Sequence, residues 1–306
     1  MARTNHFGAL ATAVGVLLAV VLLILLAVEV GPAEATFPGK PGKIAFAGSD
    51  GNDYEIYTIK AGGGGKVQLT DNSTSDYDPS YSPSGKKIAF AGSDGQDNEI
   101  YTINAGGGGK AKVTDNSTDD LEPSYSPSGK RIAFQGYDGN DYEIYTINVG
   151  GGGRVQLTDN TTSDYDPSYS PSGKKIAYSG EDGANEREIY TIKAGGGGKL
   201  NVTNNSTDDA EPCYSPSGKK ITYQGSDGND NEIYTINVGG GGKLNITDNT
   251  TSDREPCYSP SGKKITYAGD NGQDYEIRTI NVGGGGRVQL TDNSGNEHDP
   301  SWGSSQ

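Results

Sequence analysis

The sequence predicts an all-β fold: a six-bladed β-propeller of four-stranded blades, with the ring closed by the C-terminal strand. Three observations carry this reading. From residue 41 onward the chain repeats almost verbatim, with turn glycines Gly42, Gly85, Gly129, Gly173, Gly218 and Gly262 spaced 43, 44, 44, 45 and 44 residues apart. Repeats of about 40–45 residues with several short strands each are the signature of propeller blades. The first repeat begins at its second strand, Lys43-Ile44-Ala45-Phe46, and the last is followed by Asp299-Pro300-Ser301-Trp302, the strand the first one lacks. Closure follows, because pairing these ends removes the free edges.

Each unit parses into four strands. In the second repeat, Pro79 to Ser82 forms the first, and a Ser84-Gly85-Lys86 turn leads to Lys87-Ile88-Ala89-Phe90-Ala91. An Asp94-Gly95 hairpin signal precedes Glu99-Ile100-Tyr101-Thr102-Ile103, and Gly106 to Gly109 lead to Ala111-Lys112-Val113-Thr114. Side chains alternate along a strand, so Ile88 and Phe90 share one face while Tyr101 and Ile103 lie opposite Ile100. Apolar groups on both faces mean that both faces are covered, as in stacked blades. Tyr81, Tyr125 and Tyr169 read as interblade packing with a polar tip.

The pattern P-x-Y-S-P-S-G-K-x-I-[AT]-[FY], followed by E-I-Y-T-I, G-G and L-T, resembles the WD-like repeat of the TolB β-propeller family over residues 41 to 302. The resemblance implies a propeller that binds partner proteins. Two departures limit it: Ser84, Ser128, Ser172, Ser217 and Ser261 stand where the family usually has Asp, and the chain lacks the family's N-terminal α/β domain. A fold does not fix a function, so a role in envelope maintenance is not carried over.

The composition bounds the function. With 48 Gly, 31% hydrophobic residues and a net charge of -15, the chain suits repeats with small cores better than one large core. Its acidity speaks against nucleic acid. Residues 1–35 differ from the rest: Arg3 precedes an apolar run from Phe7 to Val28, and Ala33-Glu34-Ala35 offers a small-x-small cleavage site. The segment reads as a signal peptide or an N-terminal membrane anchor, with residues 36–306 exported as the propeller. A lipoprotein anchor is excluded, since no Cys lies near residue 35. The expected location is periplasmic, extracellular or membrane-anchored facing outward, and the membrane is a partner only through this segment.

Alternate connections of antiparallel strands fall on opposite rims. The S-G-K-K and G-G-G-G-K turns share one and carry nearly all the Lys and Arg; the turns on the other carry nearly all the Asp and Glu. The disc is therefore expected to be electrically polar, favouring a cationic protein or peptide on its acidic side. There a D-x-[DE]-P motif precedes each first strand: Asp76-Tyr77-Asp78, Asp120-Leu121-Glu122, Asp164-Tyr165-Asp166, Asp209-Ala210-Glu211, Asp253-Arg254-Glu255 and, at the end, Glu297-His298-Asp299. The acids before proline, Asp78, Glu122, Asp166, Glu211, Glu255 and Asp299, should ring the mouth of the central channel as ligand-binding groups. Tyr77 and Tyr165 stand beside them as stacking surfaces. Like charges held so close are costly without a screening cation, a basic partner or water. Oxygen-rich groups suit Ca²⁺, for which Asp76, Asp78, Asp120, Glu122, Asp164 and Asp166 are the candidate ligands. The bland alternative is hydrated carboxylates that accept backbone N–H groups in interblade loops.

Catalysis finds little support. There is no G-x-S-x-G elbow, and past the N-terminal segment His298 is the only imidazole, which leaves carboxylate-based chemistry as the remaining enzymatic alternative. The Gly62–Gly65 type of turn is not a phosphate loop, because a strand and not a helix follows Lys66. Asn72-Ser73-Thr74 and its repeats match a glycosylation sequon that turn composition explains equally well. Cys213 and Cys257 replace Ser80, Ser124, Ser168 and Ser301 of the other units. The ring's rotation turns both in the same sense, so they are expected to be unpaired, buried stand-ins for serine.

Overall fold

A computed structural model describes residues 41–181 and 186–304. The expectation for residues 1–35 lies outside the described residues.

Six four-stranded antiparallel sheets are arranged as a ring. Blade one contains β1 (Pro41–Ser49), β2 (Tyr54–Lys60) and β3 (Val67–Gln68). Its innermost strand is the C-terminal segment Glu297–Ser304, which pairs with β1 through Ile44↔Trp302 and Ala45↔Ser301. Closure is therefore as the sequence predicts. Blade two shows the pattern of the rest: β4 (Asp76–Tyr81), β5 (Lys87–Ser93), β6 (Asn98–Asn104) and β7 (Ala111–Lys112), in spatial order from the channel outward.

Two boundaries differ from the sequence reading. The inner strand starts three residues early, because Asp76 and Tyr77 already pair with Gly92 and Ala91 before the register slips ahead of Ser80. The slip is a bulge at Asp78-Pro79, where Asp78 adopts φ 56°, and the acid before proline does the same in every blade. Proline lacks a donor and disfavours a right-handed helical residue before it, so the strand bulges there. The outer strand keeps only two paired residues, since Val113 N and Thr114 N both turn to the carbonyl of Ile100.

Each blade has one large and one small face. Ile88, Phe90, Tyr101 and Ile103 form the aromatic face of blade two and pack against Ala45 and Ile56 of blade one. Ala89, Ala91, Ile100 and Val113 form its small face and receive Tyr125, Ile132, Phe134, Tyr145 and Ile147 of blade three. Large on small repeats around the ring, through Ile277 of blade six against Phe46, Tyr57 and Trp302 of blade one. This complementarity gives native packing from many small cores.

Candidate functional site

Two sets of carboxylates arise from the D-x-[DE]-P motif. The first acid of each, Asp76, Asp120, Asp164, Asp209, Asp253 and Glu297, is fully buried. The Asn four residues earlier donates its side-chain amide to that acid, for example Asn116 Nδ2 to Asp120 Oδ2 at 2.7 Å and Asn205 Nδ2 to Asp209 Oδ2 at 2.6 Å. A second buried carboxylate joins the same amide, since Glu99 accepts both the backbone N–H of Asn116 at 2.6 Å and its side chain at 3.3 Å. The glycine at the end of the second strand makes room: a Cβ on Gly136 would stand 2.7 Å from Asp120 Oδ1. The sequon asparagines are thus structural, their amides committed to buried acids.

The cations of the G-G-G-G-[KR] turns complete this network, a correction to the rim on which the sequence places them. Lys66 ion-pairs with Glu297 at 2.6 Å, and Arg154 with Asp120 at 3.5 Å. In blades one to five the cation lies on an aromatic pair, as with Arg154 at 4.1 Å from the Tyr145 ring centre and Lys199 at 4.0 Å from that of Tyr190, while in blade six Arg278 replaces the second ring and Arg287 stands 6.0 Å from Tyr267. Buried carboxylates and ring quadrupoles attract cations more strongly than water-screened solvent does. Burial still dominates the acids: it pushes Asp120 and Asp164 up to about 7, against the pull of Arg154 and Lys199.

The second acid of each motif faces the channel. Asp78, Glu122, Asp166, Glu211, Glu255 and Asp299, with the prolines that follow them, line one cavity at the channel mouth. The left-handed bulge turns these side chains inward, and the next blade's backbone caps some of them. Glu122 N donates to Asp78 Oδ2 at 3.2 Å, Glu211 N to Asp166 Oδ2 at 3.3 Å and Asp299 N to Glu255 Oε2 at 2.6 Å. Among the described residues no Lys or Arg forms an ion pair with a ring acid as Arg154 does with Asp120, although Arg187 favours the ionised forms of Asp166 and Glu211 from farther off. Burial first, and neighbouring acids second, raise Glu122, Glu211 and Asp299 well above the carboxylate range. Burial raises Asp78 to about 6, against the backbone N–H of Glu122, which favours its ionised form. Asp78, Glu122 and Asp299 bring carboxylate oxygens within 4.8 Å of one another. Of the six candidate calcium ligands, Asp76, Asp120 and Asp164 lie in the interblade networks and apart from this cluster.

Tyr77 and Tyr165 stand half-buried beside the mouth, on Tyr54 (ring centres 5.2 Å apart) and Tyr142 (5.6 Å) of the preceding blades. His298 lies against Tyr54 and Tyr275, with Nδ1 3.3 Å from Glu255 Oε1. Sequence reasoning missed Tyr54, Tyr142 and Tyr275, whose signal is the aromatic that opens the third strand in [DN]-G-x-D-Y-E.

Below the acids the channel wall is Ser80, Ser124, Ser168, Cys213, Cys257 and Ser301. Serine hydroxyls accept the next blade's backbone N–H, as Ser124 Oγ does from Tyr169 at 3.1 Å and Ser301 Oγ from Tyr81 at 3.2 Å. Cys213 and Cys257 are disulfide-bonded, with Cα atoms 5.2 Å apart. The expectation of unpaired thiols is overturned, although the strand assignment behind it is right. In a six-membered ring the spacing of neighbours equals the radius, so a channel this narrow brings equivalent positions to bonding distance whatever their rotational sense.

The profile described as TolB beta propeller domain matches residues 35–136 and 113–306. The chain belongs to that family. Among curated proteins none matches the sequence. The structure is similar to that of TolB from Acinetobacter baumannii, with TM-score 0.77 and 22% identity over 86% of this chain and 67% of that one. A protein assigned as TolB from Agrobacterium tumefaciens matches at TM-score 0.69 and 21% identity, over 84% and 91%. Kuenenia stuttgartiensis hydrazine synthase matches at TM-score 0.73 and 18% identity, over 88% and 48%. At these identities the likeness is one of fold.

Proposed function

We propose that the protein is an exported, non-catalytic scaffold that binds a cationic protein or peptide at its acid-ringed channel mouth. The observation that carries this reading is the contrast in neutralisation: Glu297, Asp76, Asp120 and Asp253 of the interblade networks each have a Lys or Arg ion pair, whereas among the described residues none of the six channel acids has one. A Lys or Arg side chain entering the mouth would supply the missing charge, and the tyrosines around it offer stacking area. Family membership supports protein binding, and the disulfide supports an oxidising compartment. His298, the one imidazole among the described residues, sits between aromatic rings beside Glu255 with no nucleophile in its hydrogen bonds, which favours binding over hydrolysis.

The test is calorimetric titration with a lysine- and arginine-rich decapeptide. Replacing all six ring acids with Asn or Gln should weaken binding at least tenfold, and salt should weaken it in the native protein. Equal affinity for an uncharged peptide of the same length would overturn the reading. The Asp78, Glu122 and Asp299 cluster favours a second one, a calcium-binding surface module. There, millimolar Ca²⁺ should raise the unfolding midpoint and the Asp78→Asn variant should abolish the rise.

A further inference from the structure

The rim opposite the acids is the other charged surface of the disc. Its turns, residues 82–86 and 105–110 in blade two, meet through the hydrogen bond from Ala105 N to Lys86 O, 2.9 Å. Lys86, Lys130, Lys174, Lys219 and Lys263 occupy the same turn position in blades two to six, and all are exposed. Blade one supplies Lys43 and Lys60, also exposed. Among the described residues these turns contain no Asp or Glu in any blade. With the G-G-G-G-[KR] cations folded back onto the aromatic faces, the rim lysines have no carboxylate of their own to meet. In a chain of net charge -15, an acid-free ring of lysines is a segregated surface. Because the positions are equivalent, the ammonium groups lie at one level and suit a planar anionic partner better than a groove or a point ligand.

Where the chain enters narrows the choice. β1 starts at Pro41, paired with Ser304. Ser304 abuts the lysine-rim turn of blade two, donating from Oγ to the carbonyl of Pro83 at 3.4 Å. The chain therefore joins the propeller on the lysine side. Residues 29–40 separate Pro41 from the apolar run Phe7 to Val28, and twelve residues reach at most about 43 Å. The run itself is long enough to cross a bilayer. We infer that the lysine rim docks on an anionic phospholipid bilayer, with the disc held flat and the acidic mouth turned away from the membrane. Lysines near an anionic surface each add attraction that falls off within a Debye length. The inference concerns the rim opposite the peptide site, so each can fail without the other.

The test uses the full chain in vesicles of phosphatidylcholine alone or with about a third phosphatidylglycerol, the anionic fraction being one that gives a strong surface potential. A fluorophore is attached through Ser128→Cys on the lysine rim or Gln96→Cys on the acidic rim, without reductant, and a headgroup nitroxide lipid serves as quencher. The Ser128 label should be quenched several-fold more in anionic than in neutral vesicles, and the Gln96 label in neither. Replacing the five turn lysines with Gln, or adding 0.5 M NaCl, a salt level with a Debye length of only about 4 Å, should remove the difference. Equal quenching of the two labels, indifference to lipid charge, or unchanged quenching after lysine replacement would overturn the proposal. So would release of the rim from anionic vesicles by equimolar duplex DNA, which would assign it to nucleic acid.

Discussion

Asp120 and Glu122 stand two residues apart on one strand of blade three, yet they meet opposite circumstances. Asp120 is fully buried, with an amide at 2.7 Å and a guanidinium at 3.5 Å. Glu122 faces the channel among acids that raise it further. The bulge at Glu122-Pro123 is what separates them, since it turns the second side chain from the blade's face toward the axis. The fate of a carboxylate therefore depends less on its type than on which surface the backbone gives it. One acid is tied into the interblade network and its neighbour lines the channel.

Substitutions should divide along the same line. Asp120→Ala removes the partner of the Arg154 guanidinium, which stays partly exposed, and one of the two carboxylate acceptors of the Asn116 amide, and should cost about 1–3 kcal/mol in urea unfolding. Glu122→Gln replaces an acid that burial and its neighbours already drive toward the neutral form, and should be neutral or stabilising. Equal losses for the two would break the comparison. Where blades five and six meet, the channel wall is also tied covalently, and opening a closed loop of 44 residues should cost about 4 kcal/mol on the chain-entropy model. The thermal midpoint with and without reductant measures this. Gly136→Ala places a Cβ 2.7 Å from Asp120 Oδ1 and 2.8 Å from Arg154 Nη2 and should cost about 1–3 kcal/mol. Gly139→Ala, at φ 108° with nothing within 4 Å, should cost less, about 1 kcal/mol of backbone strain.

A smaller, global effect should appear with pH. Asp78, Asp209 and Asp253 are raised from 3.8 to about 6, and Asp120 and Asp164 to about 7. Between those values and the unfolded ones the folded state binds more protons, so stability falls as pH rises through about 4 to 7. The urea midpoint should be higher at pH 5 than at pH 8, whereas affinity for the cationic peptide should fall over the same acidification as the ring loses charge. A midpoint that rises with pH would show the buried acids to be better compensated than their surroundings indicate.

The sequence made the fold legible because it states the blade six times: the spacing of Gly85, Gly129 and their counterparts counts the blades, and Trp302 supplies the missing strand. It also pointed to the acids that line the channel, since each stands directly before the proline at which the inner strand bulges. It did not reveal that Asp76 and Asp78 part company, because that depends on a bulge at Asp78 and on a glycine, Gly92, across the strand pair. The signals were present as Asn four residues before each first acid and Gly closing each second strand, but both residue types are common in turns. Cys213 and Cys257 misled for a different reason. Rotational symmetry describes directions correctly and says nothing about the radius, and the radius decides whether two sulfurs meet.

The covalent clasp has a mechanical consequence. The ring's seam lies where the last strand zips onto β1, held by hydrogen bonds and by Trp302. Tension on the C-terminus peels that strand first and passes next to blade six, the blade before it in the chain. Blade six is the one bolted to blade five through Cys257 and Cys213. A tear that starts at the seam meets a rip-stop one blade in, so under load the ring should gape reversibly at blade one before the array unravels.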